Sequence, residues 1–220
     1  MKKYKAVLFD FDGTLIDTNE FILNSWKAVA DAVNGGKPFD TAFLAKYFGT
    51  PLEFAVEETI KHYGLKGCDA KELTEIYRGY QRNNQDKFGV PFEGIPELLK
   101  ALKERGIKLG IVTSRTRQTT IDALARHGLD KYFDEFIAEE DTSIHKPLPE
   151  PCLICCERLG VAPEDALMVG DSKHDVACGN NAGAGTALVS WSFAQKLEGL
   201  EGVEKPDYFI EKAEDILELV

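Results

Sequence analysis

The sequence predicts an α/β fold: a doubly wound, mainly parallel sheet interrupted near its start by a block of helices. Three features predict it. Apolar runs such as Val7-Leu8-Phe9 and Ala166-Leu167-Met168-Val169 have the unbroken character of strands buried on both faces. From residue 92 onward such runs alternate with segments of helical periodicity, which implies right-handed crossovers and helices on both faces of the sheet. Residues 18–88 carry helical periodicity and no convincing strand, so they read as an insertion after the first strand.

In chain order, the first strand ends abruptly in Asp10-Phe11-Asp12-Gly13-Thr14. Phe21, Ile22, Trp26, Val29 and Val33 then recur at helical spacing over residues 18–33, and Gly35-Gly36-Lys37-Pro38 breaks that helix. Helical patterns resume at 41–47, 52–63 and 70–88. The expected division is a core made of residues 1–16 and 90–220 and a helical domain at 17–89, with linkers near Asp17 and Phe88 placed to act as a hinge. The core then reads as helix 96–105, strand 108–113, helix 116–127, strand 132–139, helix 151–159, strand 166–170, helix 174–182 and strand 186–189. Residues 207–210 suggest an edge strand and 213–219 a closing helix.

A chain of 220 residues, 44% hydrophobic, is long enough to bury a sizeable core. Its 26 Lys and Arg against 37 Asp and Glu give a formal charge of -11, which disfavours nucleic acid or an anionic membrane as partner. An anionic substrate would need local positive charge. Met1-Lys2-Lys3 leads straight into a strand, and no apolar run approaches the ~20 residues of a membrane span, so the expected location is cytoplasmic. Cys68, Cys152, Cys155, Cys156 and Cys178 lack a second ligand pair at zinc-like spacing and read as reduced thiols packed in or near the core. His145 and His174 read as neighbours of reactive groups, and Trp26 and Trp191 as packing residues.

Three strands terminate in polar residues that a parallel sheet collects at one edge: Asp10 with Asp12, Thr113 with Ser114, and Asp171 followed by Asp175. Lys146, in His145-Lys146-Pro147, precedes a proline-stiffened helix start. Clustered carboxylates repel, so Asp10, Asp12, Asp171 and Asp175 demand raised pKa values or a cation, and hard oxygen donors favour Mg2+. This set meets the demands of phosphoryl transfer, which are positioning and neutralisation of charge. Asp10 is the candidate nucleophile, Asp12 the general acid and base, Thr113 a donor to a phosphoryl oxygen, Lys146 a counter-charge and Asp171 a metal ligand.

These segments resemble the four ordered motifs of the haloacid dehalogenase superfamily: Asp10-Phe11-Asp12-Gly13-Thr14, Ile111-Val112-Thr113-Ser114, Lys146-Pro147, and Gly170-Asp171 through Asp175. The resemblance covers essentially the whole chain. It implies a Rossmann-like core with a small helical cap, an aspartyl-phosphate on Asp10, and Mg2+ held by Asp10, the Asp12 backbone carbonyl and Asp171, with Asp175 in support. Asp12 speaks for phosphoester chemistry, because dehalogenases and phosphonatases of the superfamily generally lack the second aspartate. The phosphoglycolate phosphatase and cytosolic pyrophosphatase branches are most similar, through residues 8–20, 92–113, 166–175 and 205–208.

The implied partner is a small phosphorylated metabolite, with phosphoglycolate the first expectation and pyrophosphate its rival. A phosphotransferase of the beta-phosphoglucomutase type is the alternative. It is weakened because Ile22 and Leu52 stand where those enzymes carry a histidine and an arginine. A non-catalytic phosphate sensor would have no need of Asp12. Specificity is expected from Phe48-Gly49-Thr50-Pro51, a turn between two cap helices, and from Arg115, whose fork suits a carboxylate or second phosphate. Gly13, Thr14, Ser114, Gly49 and Thr50 complete the candidate substrate contacts, with Arg78 and Asn19 behind them.

Overall fold

The computed structural model describes residues 4–192 and 199–220. Its sheet has six strands in the order β3-β2-β1-β4-β5-β6. They are β1 Ala6–Phe9, β2 Lys108–Val112, β3 Glu135–Ile137, β4 Ala166–Gly170, β5 Gly185–Val189 and β6 Tyr208–Ile210, and every pairing is parallel. Strand order reverses at β1, which lies between β2 and β4. That reversal is the switch point outside which open α/β sheets place their ligands.

β1 does not alternate in polarity because both of its faces are covered. Val7 and Phe9 join an apolar layer with Leu98, Leu102, Ile111 and Leu124, supplied in part by α5 (Ile95–Glu104) and α6 (Arg117–Arg126). Ala6 and Leu8 join the opposite layer with Met168 and with Cys152, Cys155, Cys156 and Cys178 of α7 (Glu150–Leu159) and α8 (Lys173–Ala182). These four buried cysteines and the half-buried Cys68 are free thiols, as the sequence suggests.

The inserted helices are α1 (Asn19–Val33), α2 (Thr41–Leu44), α3 (Leu52–Tyr63) and α4 (Ala70–Asn83). They pack around a third apolar cluster that includes Trp26, Val29, Phe43, Val56, Leu73 and Tyr77. Trp26 meets Phe39 and Tyr77 edge-on, as a packing residue does. Among the described residues, no helix is long and apolar enough to cross a membrane.

Several element ends differ from expectation, each with a local cause. α4 stops at Asn83 rather than near 88, and Asn84 Nδ2 donates to the Tyr80 carbonyl at 2.8 Å, competing with the helix for backbone partners. The segment 41–47 is α-helical only to Leu44 and tightens into a 3-10 turn at Ala45–Tyr47. The strand expected at 132–139 shrinks to Glu135–Ile137, where Asp141 Oδ2 accepts from Ala138 N at 2.8 Å and starts a turn. The closing helix is a 3-10 helix over Ala213–Glu218.

The two linkers pair with each other. Asp17 N donates to Val90 O at 2.9 Å, Phe92 N donates to Leu15 O at 3.1 Å, and Ile16 bridges Pro91 in antiparallel sense. The approach leaves no room for a side chain at Gly89, where a Cβ would overlap the Asp17 carbonyl. Gly89→Ala is therefore expected to destabilise the protein by about 1–3 kcal/mol, read as a lowered midpoint in urea unfolding; an unchanged midpoint removes the packing argument.

Candidate active site

β1, β2 and β4 end at one edge of the sheet, and the residues that follow them converge there. Asp10 N donates to Val169 O and Thr113 N to Ile137 O, both at 2.9 Å, so pairing continues one residue beyond β1 and β2. Lys146 comes from the segment before α7, where the Lys146–Pro147 bond is cis. Its Nζ donates to Asp10 Oδ1 at 2.7 Å, to Asp175 Oδ1 at 2.6 Å and to Val112 O at 3.3 Å. Three acceptors match the three protons of an ammonium. All three side chains are buried, which is tolerable for charges paired and hydrogen-bonded in this way.

The neighbouring acids are fixed by serines. Asp175 Oδ2 accepts from Ser172 N at 3.1 Å and Ser172 Oγ at 2.6 Å, so one carboxylate both caps α8 and anchors Lys146. Asp171 Oδ2 accepts from Ser192 Oγ at 2.5 Å. Asp171 reaches this place because residue 13 is glycine, with φ +78: a Cβ there would overlap the Asp171 carboxylate and crowd the Ser192 hydroxyl.

Burial pushes the Asp10 carboxyl up to about 7, with repulsion from Asp175 and Asp12 adding and Lys146 opposing. Burial and the nearby Asp10 and Asp175 also hold Asp171 well above the usual carboxylate range. Burial alone would lower Lys146, but attraction to Asp10 and Asp175 outweighs it and raises the group. Carboxylate oxygens of Asp10, Asp171 and Asp175 lie within 4.8 Å of one another. Three buried carboxylates facing one ammonium present excess negative charge on hard oxygens, a donor set that fits a divalent cation.

A cavity of about 350 Å³ opens between this edge and the inserted helices. Of the residues singled out from the sequence, Asp10, Asp12, Thr113, Ser114, Arg115, Gly49, Thr50 and Asp171 line it, together with Asn19, Arg78, Ile22 and Leu52. Gly13, Thr14, Lys146 and Asp175 are not part of this lining. Thr14 is fully buried with its Oγ1 unpartnered, and its carbonyl accepts from Trp191 Nε1 at 3.1 Å.

The turn at Gly49 docks on the core, since Ser114 Oγ donates to Gly49 O at 2.7 Å and His174 Nε2 pairs with Lys46 O at 3.2 Å. Arg115 Nη1 donates to both oxygens of Asp12, at 3.1 and 3.4 Å. Arg78, Arg82, Arg115 and Arg126 line the cavity and offer guanidinium donors to an anion, beside the carboxylates of Asp10, Asp12, Asp122, Glu139 and Asp171.

Sequence reasoning missed Ser172, Ser192, Phe88 and Glu139. Ser172 and Asp175 carry the Ser-x-x-Asp signature of a helix start, which would have found the first. Ser192 follows β5, and inspecting that strand's end as well would have flagged it. Phe88 and Glu139 line the cavity only because distant segments meet there, and no local pattern marks them.

The profile of the haloacid dehalogenase-like hydrolases matches residues 7–189, which spans the sheet from β1 to β5 and every residue of this cluster except Ser192. The chain belongs to that family. Among haloacid dehalogenase-like hydrolases it is 41% identical over 216 residues to a Clostridium perfringens protein with the provisional name pyrophosphatase PpaX, covering 98% of this chain and 97% of the relative. It is 38% identical over 220 residues to pyrophosphatase PpaX of Bacillus velezensis, covering 99% and 97%. In structure it is similar to a predicted phosphoglycolate phosphatase from Haemophilus somnus, with a TM-score of 0.85 at 24% identity over 100% of this chain and 99% of that one, a likeness of fold. The protein is a phosphatase of this superfamily.

Removing the ammonium would strand two buried carboxylates. Lys146→Met is expected to cost about 3–5 kcal/mol of stability, and adding Asp175→Asn should recover part of that loss in denaturant unfolding at neutral pH. Equal stability of Lys146→Met and the unmodified chain would show that the ion cluster is not held as described.

Proposed function

We propose that the protein hydrolyses a small, multiply anionic phosphate compound with Mg2+, inorganic pyrophosphate foremost, through an aspartyl-phosphate on Asp10. The observation that carries the reading is the Asp10 carboxylate at the wall of the cavity, bonded to Lys146 and adjoined by Asp171. Pyrophosphate is placed before phosphoglycolate because relatives named pyrophosphatase match this chain along nearly its full length. Phosphoglycolate remains the second reading, since its carboxylate is also an acid group that Arg115 suits.

In the first half-reaction a carboxylate oxygen of Asp10 forms a bond to phosphorus as the bond from phosphorus to the leaving oxygen breaks, and Asp12 delivers a proton to that oxygen. In the second, Asp12 takes a proton from water, the water oxygen bonds to phosphorus, and the Asp10–phosphorus bond breaks to release phosphate, which regenerates the Asp10 carboxylate and the protonated Asp12. Lys146 keeps Asp10 oriented and ionised against the effect of burial, and Thr113 donates to a phosphoryl oxygen. Mg2+, which Asp10, Asp171 and the Asp12 carbonyl would hold with Asp175 in support, supplies neutralisation of charge on the phosphoryl oxygens.

Residues 17–89 act in this reading as a cap domain whose Gly49–Thr50 turn and Arg78 select the leaving group. Ile22 and Leu52 make the cap wall apolar at positions where reorientation of a sugar phosphate would need polar handles, which argues against a phosphotransferase.

Asp10→Asn should reduce turnover to background while circular dichroism shows a folded protein; substantial residual activity would sink the covalent route. A panel of pyrophosphate, phosphoglycolate, hexose phosphates and nucleotides with Mg2+ should give the highest kcat/KM for pyrophosphate. Appearance of an isomerised sugar phosphate in place of free phosphate would instead favour the phosphotransferase.

A further inference from the structure

Arg115 was expected to meet the substrate, yet the structure pairs it with the residue read as the acid and base. Its Nη1 spans both carboxylate oxygens of Asp12, at 3.1 and 3.4 Å, and both side chains are largely buried. Those distances are long for a charge-assisted bond, whose usual range is about 2.7–2.9 Å. The guanidinium sits over two rings, with its carbon 5.4 Å from the centre of Phe11 and 5.1 Å from that of Phe88. Its Nε is buried and has no hydrogen-bond partner. A planar cation stacked on aromatic faces is held by its plane, leaving its in-plane donors free to change partner.

We propose that Arg115 is a substrate-operated latch on Asp12, released by a second acid group on the substrate. The proposal rests on the reading of Asp12 as acid and base. While both Asp12 oxygens accept from Arg115, neither is directed at a leaving oxygen. A distal phosphoryl or carboxylate group entering the cavity meets a guanidinium whose Nε lacks a partner and whose existing bonds are loose. Paired bidentately with Nε and Nη2, the edge that does not touch Asp12, that group satisfies the buried donor, shares the charge of the guanidinium and loosens the already long Nη1 bonds to Asp12. Asp12 then turns to the leaving oxygen. Arg115 thus couples recognition of the distal anion to the availability of Asp12, so compounds with a single phosphoryl group and no second acid are turned over slowly even when bound.

The test compares two substrates with Mg2+ in the unmodified chain, in Arg115→Met and in Arg115→Lys. Pyrophosphate carries a second acid group; ethyl phosphate carries none, and its alkoxide leaving group needs a proton. Methionine preserves contact with Phe11 and Phe88 through its sulfur, and the melting temperature checks that the variant is folded. For Arg115→Met, kcat/KM for pyrophosphate is expected to fall by at least about tenfold while kcat for ethyl phosphate rises by about threefold or more. The rise should vanish in Arg115→Met combined with Asp12→Asn, and Arg115→Lys should fall between the extremes because it keeps charge without the fork.

A loss of kcat on both substrates, or no rise on ethyl phosphate, would show that Arg115 binds substrate while remaining on Asp12 and would overturn the latch alone. Persistence of the rise without Asp12 would also overturn it. If the unmodified chain releases phosphate from neither compound, the hydrolase reading fails and the latch with it.

Discussion

Three carboxylates, Asp10, Asp171 and Asp175, converge where β1 and β4 end, and the Lys146 ammonium bonds two of them from a segment 136 residues beyond Asp10 in sequence. A buried charge survives only if its partners stand at the right distance, so this cluster constrains everything that delivers it. β1 must lie between β2 and β4 to bring Asp10 beside Asp171. α8 must be capped at Ser172 so that Asp175 is turned inward by the same bonds that cap the helix. Glycine must stand at position 13, because any side chain there would occupy the space of Asp171. The apolar layers above and below the sheet are ordinary in composition; what is particular to this chain is the polar edge they hold in register.

That edge was largely legible in the sequence, for physical reasons. A strand covered on both faces is continuously apolar, so the point where it turns acidic is visible, and in a parallel sheet all such points share one side. Asp10, Thr113 and Asp171 follow directly, and Lys146 is marked by its place before a proline-started helix. Pairings between distant side chains have no such signature. Nothing local says that Ser192 bonds Asp171, that Arg115 lies on Asp12, or that Phe88 comes to rest beneath the same guanidinium. Element ends were misjudged where one side chain competes for a backbone group, as Asn84 does beyond α4. Preference between two small anions lies outside what four shared motifs encode.

The charge distribution resolves an apparent conflict. A chain of formal charge -11 repels anions at a distance, yet its cavity sets Arg78, Arg82, Arg115 and Arg126 among the five carboxylates that line it, so guanidinium donors are within reach of an anion once it has entered. Screening in physiological salt confines the repulsion of surface acids to about 8 Å, while the arginines act inside that length. The arrangement suits a small anion that diffuses to the cavity mouth and disfavours a polyanion, whose further charges would meet the acidic surface.

The paired linkers carry a consequence for how such a chain is assembled. Residues 17 and 90 are hydrogen-bonded neighbours, so the sheet sees the whole helical stretch between them as a single tight connection. Its own apolar cluster is separate from the two layers on the sheet. Whatever lies between those two residues can change in length, sequence or shape without altering strand register, provided its ends still meet at the Gly89 crossing. The chain is therefore modular at one point: the polar edge and the helices above it are free to diverge at different rates, and a helical segment from another source with the same end-to-end spacing has a ready place to be grafted.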